Sequence, residues 1–215
     1  MHIADGALST PVMAATNVVA AAGIGMSLRR IDYEQIPRVG VLAAVFFMAS
    51  FIRVHIGPSS VHLMLNGLLG LILGVAALPA LAVALFLQTV LLGFGGVSAL
   101  GANILGMGIP ALATGWLFSA RCRTASTQGK AMLWGGAAGM FSVLLTCVLF
   151  ALVLYMSKPM AYVTTVKALV AVHLPIAAIE AVVAGASVGF FYKVRPDMLL
   201  SPVCNRASGR RDESG

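Results

Sequence analysis

The stretch AMLWGGAAGMFSVLLTCVLFALVLYM, residues 131–156, decides the fold class. It holds no charged residue and is longer than the ~20 apolar residues that a helix needs to cross a bilayer. Lipid cannot satisfy unpaired backbone N–H and C=O groups, so a run of this kind must be helical. No barrel-like alternation of apolar and polar residues is seen. The composition agrees: 60% of the 215 residues are hydrophobic, 10% are charged, and the mean hydropathy is +0.97. Such values mark an integral membrane protein. Cys122, Cys147 and Cys204 are scattered and odd in number, which gives neither a disulfide framework nor the paired spacing of a zinc site.

Further spans flank that stretch on both sides, at about residues 11–28, 39–54, 59–78, 79–92, 102–120 and 166–192. The expectation is an all-α membrane protein, a seven-helix bundle forming one integral membrane domain over residues 1–200. A polar tail, residues 201–215, is expected to be disordered and cytoplasmic. No Lys or Arg precedes the first span as a secretory signal would require, so the N-terminus is expected to be retained. With seven spans the two ends lie on opposite sides. One side collects Arg29, Arg30, Arg38, Arg121, Arg123, Lys130, Lys193, Arg195, Arg206, Arg210 and Arg211, leaving Arg53, Lys158 and Lys167 for the other. By the positive-inside rule the C-terminus is cytoplasmic and the N-terminus faces outward. The net charge of +7 therefore reports orientation rather than affinity for nucleic acid.

The opening residues Met1-His2-Ile3-Ala4-Asp5-Gly6 carry the chemistry. A free α-amine, the backbone nitrogen of His2 and the Nδ1 of its imidazole can wrap one small cation through five- and six-membered chelate rings. Three nitrogens in a plane suit Ni(II) or Cu(II) better than tetrahedral Zn(II). A fourth must come from elsewhere. The span at residues 59–78 is expected to start with a serine cap at Ser59 or Ser60, which puts His62 in its first turn on the outer side. His62, Asn66, Gly70 and Gly74 then form one stripe facing protein. His62 suits either a helix interface or a metal, and its shared side with His2 favours the ligand reading. Asn66 and Asn103 are expected to orient imidazoles and loops from a second shell, or to link helices.

His173 and Glu180 stand two turns apart on one helix face. The pair could relay protons, which would make the chain a proton-coupled secondary metal transporter or a channel. A buried Glu more often holds helices together or meets a partner subunit. The eleven methionines are dispersed in apolar runs, where Met commonly fills space. HExxH, Gly-x-Ser-x-Gly and the GxxxxGK[ST] phosphate loop are missing, so the chain does not read as an enzyme or a self-contained ATP-driven pump. Uphill transport would need energy from another subunit.

Met1 to Leu8, Ser60-Val61-His62-Leu63, Gly67 to Gly70, Gln88 to Gly96, Leu100 to Met107, and Leu174-Pro175 to Glu180 together resemble the CbiM/NikM family. These are the cobalt and nickel substrate-capture (S) components of energy-coupling factor transporters. The resemblance implies a seven-helix bundle in the bacterial cytoplasmic (inner) membrane, with the N-terminal segment plugging the substrate cavity. It implies that the Met1 amine, the His2 amide and imidazole nitrogens and the His62 imidazole bind Ni2+ or Co2+ as transported substrate, with no redox or nucleotide cofactor on the chain. It also implies a transmembrane coupling (T) subunit, two cytoplasmic ATPase subunits and often a small accessory membrane subunit as partners. Many relatives carry a histidine where this chain has Phe94, so any help from that position is lost here.

Overall fold

The structure is a computed structural model that describes residues 2–56, 59–157 and 159–200. Its helices are α1 (Thr10–Leu28), α2 (Ile36–Ala49), α3 (Asn66–Leu73), α4 (Ala77–Leu92), α5 (Leu100–Arg123), α6 (Gln128–Ser157), α7 (Pro159–Val194) and the short α8 (Asp197–Leu200). Among the described residues, five helical stretches are long and apolar enough to cross a membrane: α1, α3 with α4 as Asn66–Leu92, α5, α6, and Leu169–Val194 of α7. The chain is a multi-pass membrane protein. At 14 residues α2 is shorter than the bilayer core, since a helix rises ~1.5 Å per residue across a core ~30 Å thick.

Two expectations are corrected. The bundle is helical as expected, but the third span does not start at residue 59: β1 (Arg53–Ile56) and β2 (Ser59–His62) form an antiparallel hairpin, with Arg53 opposite His62 and Val54 opposite Val61. Neither Ser59 nor Ser60 caps a helix, and His62 ends a strand instead of entering a first turn. The physical reason is visible in Arg53-Val54-His55-Ile56, where polar and apolar residues alternate with the period of a strand. A short apolar run does not by itself distinguish strand from helix. The break between the third and fourth spans also falls earlier than residue 78, because Gly74 adopts φ 55° and ψ −124° and ends α3 after Leu73. Residues with a Cβ rarely take that conformation.

Two close crossings hold the bundle together. The main chains of α3 and α5 meet at Gly70 and Gly115, where a Cβ on Gly70 would overlap the Ala111 carbonyl and one on Gly115 would stand 2.5 Å from the Gly70 oxygen. On α6, a Cβ at Gly136 would lie 2.9 Å from the Ala181 oxygen, and one at Gly139 would lie 2.8 Å from the Glu180 oxygen of α7. Small residues let helices approach this closely in lipid, where packing rather than water exclusion drives association. Leu69, Ile72, Leu81, Leu85, Met107 and Phe150 fill the core between the helices. Val18, Val41, Leu91, Val148 and Val182 point outward, as lipid contact requires.

The bundle has two distinct ends. At one, Ser27 Oγ donates to the Val75 carbonyl at 2.5 Å, and Arg38 Nη2 donates to the Met198 carbonyl at 2.6 Å and to that of Ile72 at 3.3 Å. These bonds gather the end of α1, the start of α2, the end of α3 and α8. The other end carries the hairpin, the loop between α4 and α5, and the segment before α1.

Candidate metal centre at the hairpin end

Residues 2–9 lie against the bundle rather than projecting from it. Ile3 is buried, its N–H donates to Asn103 Oδ1 at 2.8 Å, and its carbonyl accepts from Asn103 Nδ2 at 3.0 Å. Asn103 sits in the first turn of α5 and so holds the segment by both main-chain polar groups of one residue, Ile3. Two residues on, Asp5 Oδ1 accepts from Ser98 N–H at 3.0 Å and Ser98 Oγ at 2.5 Å. The Ser98 hydroxyl holds the exposed Asp5 carboxyl below its ordinary value of 3.8. Gly95, at φ 75°, lets the loop pass so closely that an added Cβ would lie 3.1 Å from the His2 Cβ and 2.9 Å from Asn103 Nδ2.

This docking brings His2 and His62 together. Their ring centroids stand 5.1 Å apart with the planes inclined by 31°, and His62 is buried. Each ring has one nitrogen fixed by a neighbour. His62 Nδ1 lies 3.0 Å from the Leu63 carbonyl, which can only accept, so Nδ1 bears the proton and Nε2 carries the lone pair. His2 Nε2 lies 2.8 Å from Gln88 Oε1, so there Nε2 is the donor and Nδ1 carries the lone pair. The Phe94 ring lies beside that of His2, centroids 6.0 Å apart.

The remaining residues read from the sequence separate into groups. Met1 lies outside the described residues. Asn103 acts on the N-terminal segment through Ile3, the residue next to His2. Asn66 is fully buried and links helices: its Nδ2 donates to Thr146 Oγ1 at 2.9 Å and the Met107 carbonyl at 3.4 Å, and its Oδ1 accepts from Gly67 N–H at 3.1 Å. His55 belongs to β1, paired in register with Ser60. Glu180 Oε1 accepts the N–H groups of Met64 and Leu65, just ahead of α3. His173, also buried, has Nδ1 2.7 Å from the Leu169 carbonyl one turn back.

Gln88, Asp5 and Ser98 were not singled out by chemistry in the sequence. Gln88 had a signal, being a long polar side chain inside an otherwise apolar span, where such groups are costly unless they act. Among the described residues no three His, Cys, Asp or Glu side chains converge.

Comparison with known proteins agrees with the fold. Residues 2–198 match the family described as the cobalt uptake substrate-specific transmembrane region, CbiM. A protein of Haemophilus influenzae, whose name assigns it to metal transport, is 35% identical over 199 residues, covering 93% of this chain and 97% of its own. The cobalt transport protein CbiM of Sorangium cellulosum is 29% identical over 216 residues, covering 93% and 94%. A crystal structure of a transition metal transporter superposes with a TM-score of 0.69 at 24% identity, over 90% of this chain and 93% of that one. At that identity the superposition speaks for the fold. The chain belongs to the CbiM family of cobalt uptake transmembrane proteins.

Proposed function

We propose that this chain is the metal-capture subunit of an energy-coupling factor transporter that imports Ni(II) or Co(II). The observation that carries the reading is the His2–His62 pair, whose neighbours fix complementary tautomers. With His2 protonated at Nε2, its Nδ1 is the nitrogen that closes a six-membered chelate ring with the His2 backbone nitrogen. The Met1 amine adds the five-membered ring, and His62 Nε2 fills the last corner. With metal–nitrogen bonds of roughly 2.0–2.1 Å, two imidazoles at adjacent corners of a square have centroids roughly 4.5 Å apart, and at opposite corners roughly 6 Å. The observed 5.1 Å lies nearer the adjacent arrangement, which is what the chelate requires once the His2 amide faces His62 across the plane.

The relatives named for cobalt transport, and a fused nickel transport protein of Rhodobacter capsulatus that is 33% identical over 138 residues, support both ions as cargo. The basic residues Arg29, Arg30, Arg38, Arg121 and Arg123 cluster at the end away from the histidines, which supports an outward-facing metal end in a bacterial inner membrane; the seven crossings of this reading count α3 and α4 separately and include the short α2. A coupling subunit and two cytoplasmic ATPases supply the energy for release inward, and a small accessory membrane subunit completes the assembly. The chain itself is not an enzyme.

Equilibrium dialysis of Ni(II) against the full chain starting at Met1 tests this. Wild type retains the ion, and His62→Ala or a chain extended by one residue before Met1 does not. Equal retention by all three would refute the reading. Because every ligand must be deprotonated, affinity should fall as pH falls.

A further inference from the structure

We infer that Gln88 is a positioning residue of the metal site, acting by setting the tautomer of His2. This rests on the capture site proposed above.

Gln88 lies in the last turns of α4 and has no exposed surface. Its Oε1 accepts from His2 Nε2 at 2.8 Å, a contact made across 86 residues of sequence. Its Nε2 is buried and meets no partner among the described residues. A buried amide with one half unsatisfied is a poor packing element, because the unpaired donor has lost its water and gained nothing. Leu, the residue that α4 carries at Leu85, Leu87, Leu91 and Leu92, would fill the space without that cost. The retained amide is explained by what its oxygen does for the imidazole.

The consequence is chemical. A neutral imidazole has one donor and one acceptor nitrogen, and the partner of one fixes the identity of the other. With Gln88 Oε1 accepting at Nε2, the lone pair must sit on Nδ1. That nitrogen alone can form a six-membered ring with the backbone nitrogen of the same residue, since Nε2 is one bond too remote and points away. Gln88 thus preselects the chelating tautomer before the ion arrives. Partners of this kind typically change metal affinity by ~10–100-fold.

Two variants separate this from a structural role. Gln88→Leu removes the acceptor at similar bulk, and Gln88→Glu keeps an oxygen in place; Gln88→Met replaces the Leu variant if that one unfolds. Ni(II) dialysis on the full native-start chain should show ~10–100-fold weaker binding for Leu or Met and near wild-type binding for Glu. Imidazole 15N spectra of the metal-free protein should show Nε2-protonated His2 in wild type and the Glu variant, and mixed tautomers in the Leu or Met variant. Wild-type affinity in the Leu or Met variant, or Nδ1-protonated His2 in wild type, overturns the inference. If His2→Ala and His62→Ala also bind normally, the capture site itself is wrong; if they lose binding while Gln88→Leu does not, only the positioning inference fails.

Discussion

The Glu180 side chain of α7 accepts, through Oε1, the main-chain N–H of Leu65, 2.9 Å away, and that of Met64 beside it. Leu65 has φ 50°, a left-handed conformation unusual for a leucine, and it is the residue from which α3 departs. Glu180 therefore fixes how the chain leaves the hairpin, two and three residues beyond His62. Glu180→Leu would leave those two main-chain N–H groups without this acceptor, and an unsatisfied buried donor costs ~1–3 kcal/mol, so the variant should destabilise the protein by ~2 kcal/mol or more. Glu180→Gln keeps an oxygen acceptor and should lose less. Thermal unfolding in detergent distinguishes them, and equal melting temperatures would show that the contact carries no load.

The same contact bears on the proton-relay alternative. With its oxygen engaged by two backbone amides, Glu180 is placed to hold α3, and His173 Nδ1 is engaged by its own helix at Leu169. Purified chain alone in vesicles should show no metal uptake driven by a proton gradient. Uptake that follows the gradient and disappears in His173→Ala would restore the alternative.

The helices were legible because lipid imposes one rule, internal satisfaction of every backbone amide, on any long apolar run. Residues 131–156 and 102–120 accordingly fall within α6 and α5. The hairpin left one signal, the alternation Arg53-Val54-His55-Ile56, but four residues are too short a run to set a strand apart from a helix. The site was half legible. His2 and His62 follow from the chemistry of the chain start and from side assignment. Gln88, Asp5 and Ser98 act through contacts that span more than eighty residues, and no local pattern encodes a partner that distant.

Asp5 should make docking of the N-terminal segment acid-sensitive. Its folded carboxyl titrates below 3.8 because the Ser98 hydroxyl and nearby amides favour the charged form. A depressed folded value means the contribution is complete above the ordinary value and is lost as pH falls through the folded one. Protease cleavage within residues 2–9 should therefore be slow at neutral pH and accelerate below pH ~4. Ser98→Ala should raise cleavage at neutral pH by a few-fold, a modest change because the contact is exposed. Identical cleavage of the two proteins would dismiss the latch.

Gly70→Ala tests the crossing of α3 and α5. The new methyl group would overlap the Ala111 carbonyl, which is main chain and has no rotamer to escape into. Overpacking typically costs ~1–3 kcal/mol, and backbone against backbone places this change at the upper end or beyond. Gly25→Ala, where an added Cβ meets nothing within 4 Å, should be tolerated. Comparable melting temperatures for the two variants would contradict the packing described.

Asn103 tests whether order in the N-terminal segment is what makes metal binding tight. It holds Ile3 by two buried hydrogen bonds, at 2.8 and 3.0 Å, and Ile3 adjoins His2. A neutral hydrogen bond contributes ~1 kcal/mol net, and each 1.4 kcal/mol is a factor of ten in affinity. Asn103→Ala should therefore weaken Ni(II) binding by ~10–30-fold, chiefly through faster release, because the segment that carries His2 undocks more readily without the clamp. Asn103→Asp keeps the acceptor for the Ile3 N–H but sets a carboxylate against the Ile3 carbonyl, so it should behave like the alanine variant or worse. Stopped-flow release of Ni(II) into a chelator measures the rate. A normal release rate in both variants would mean that His2 and His62 hold the ion without the clamp, and that the docked segment follows from metal binding instead of preceding it.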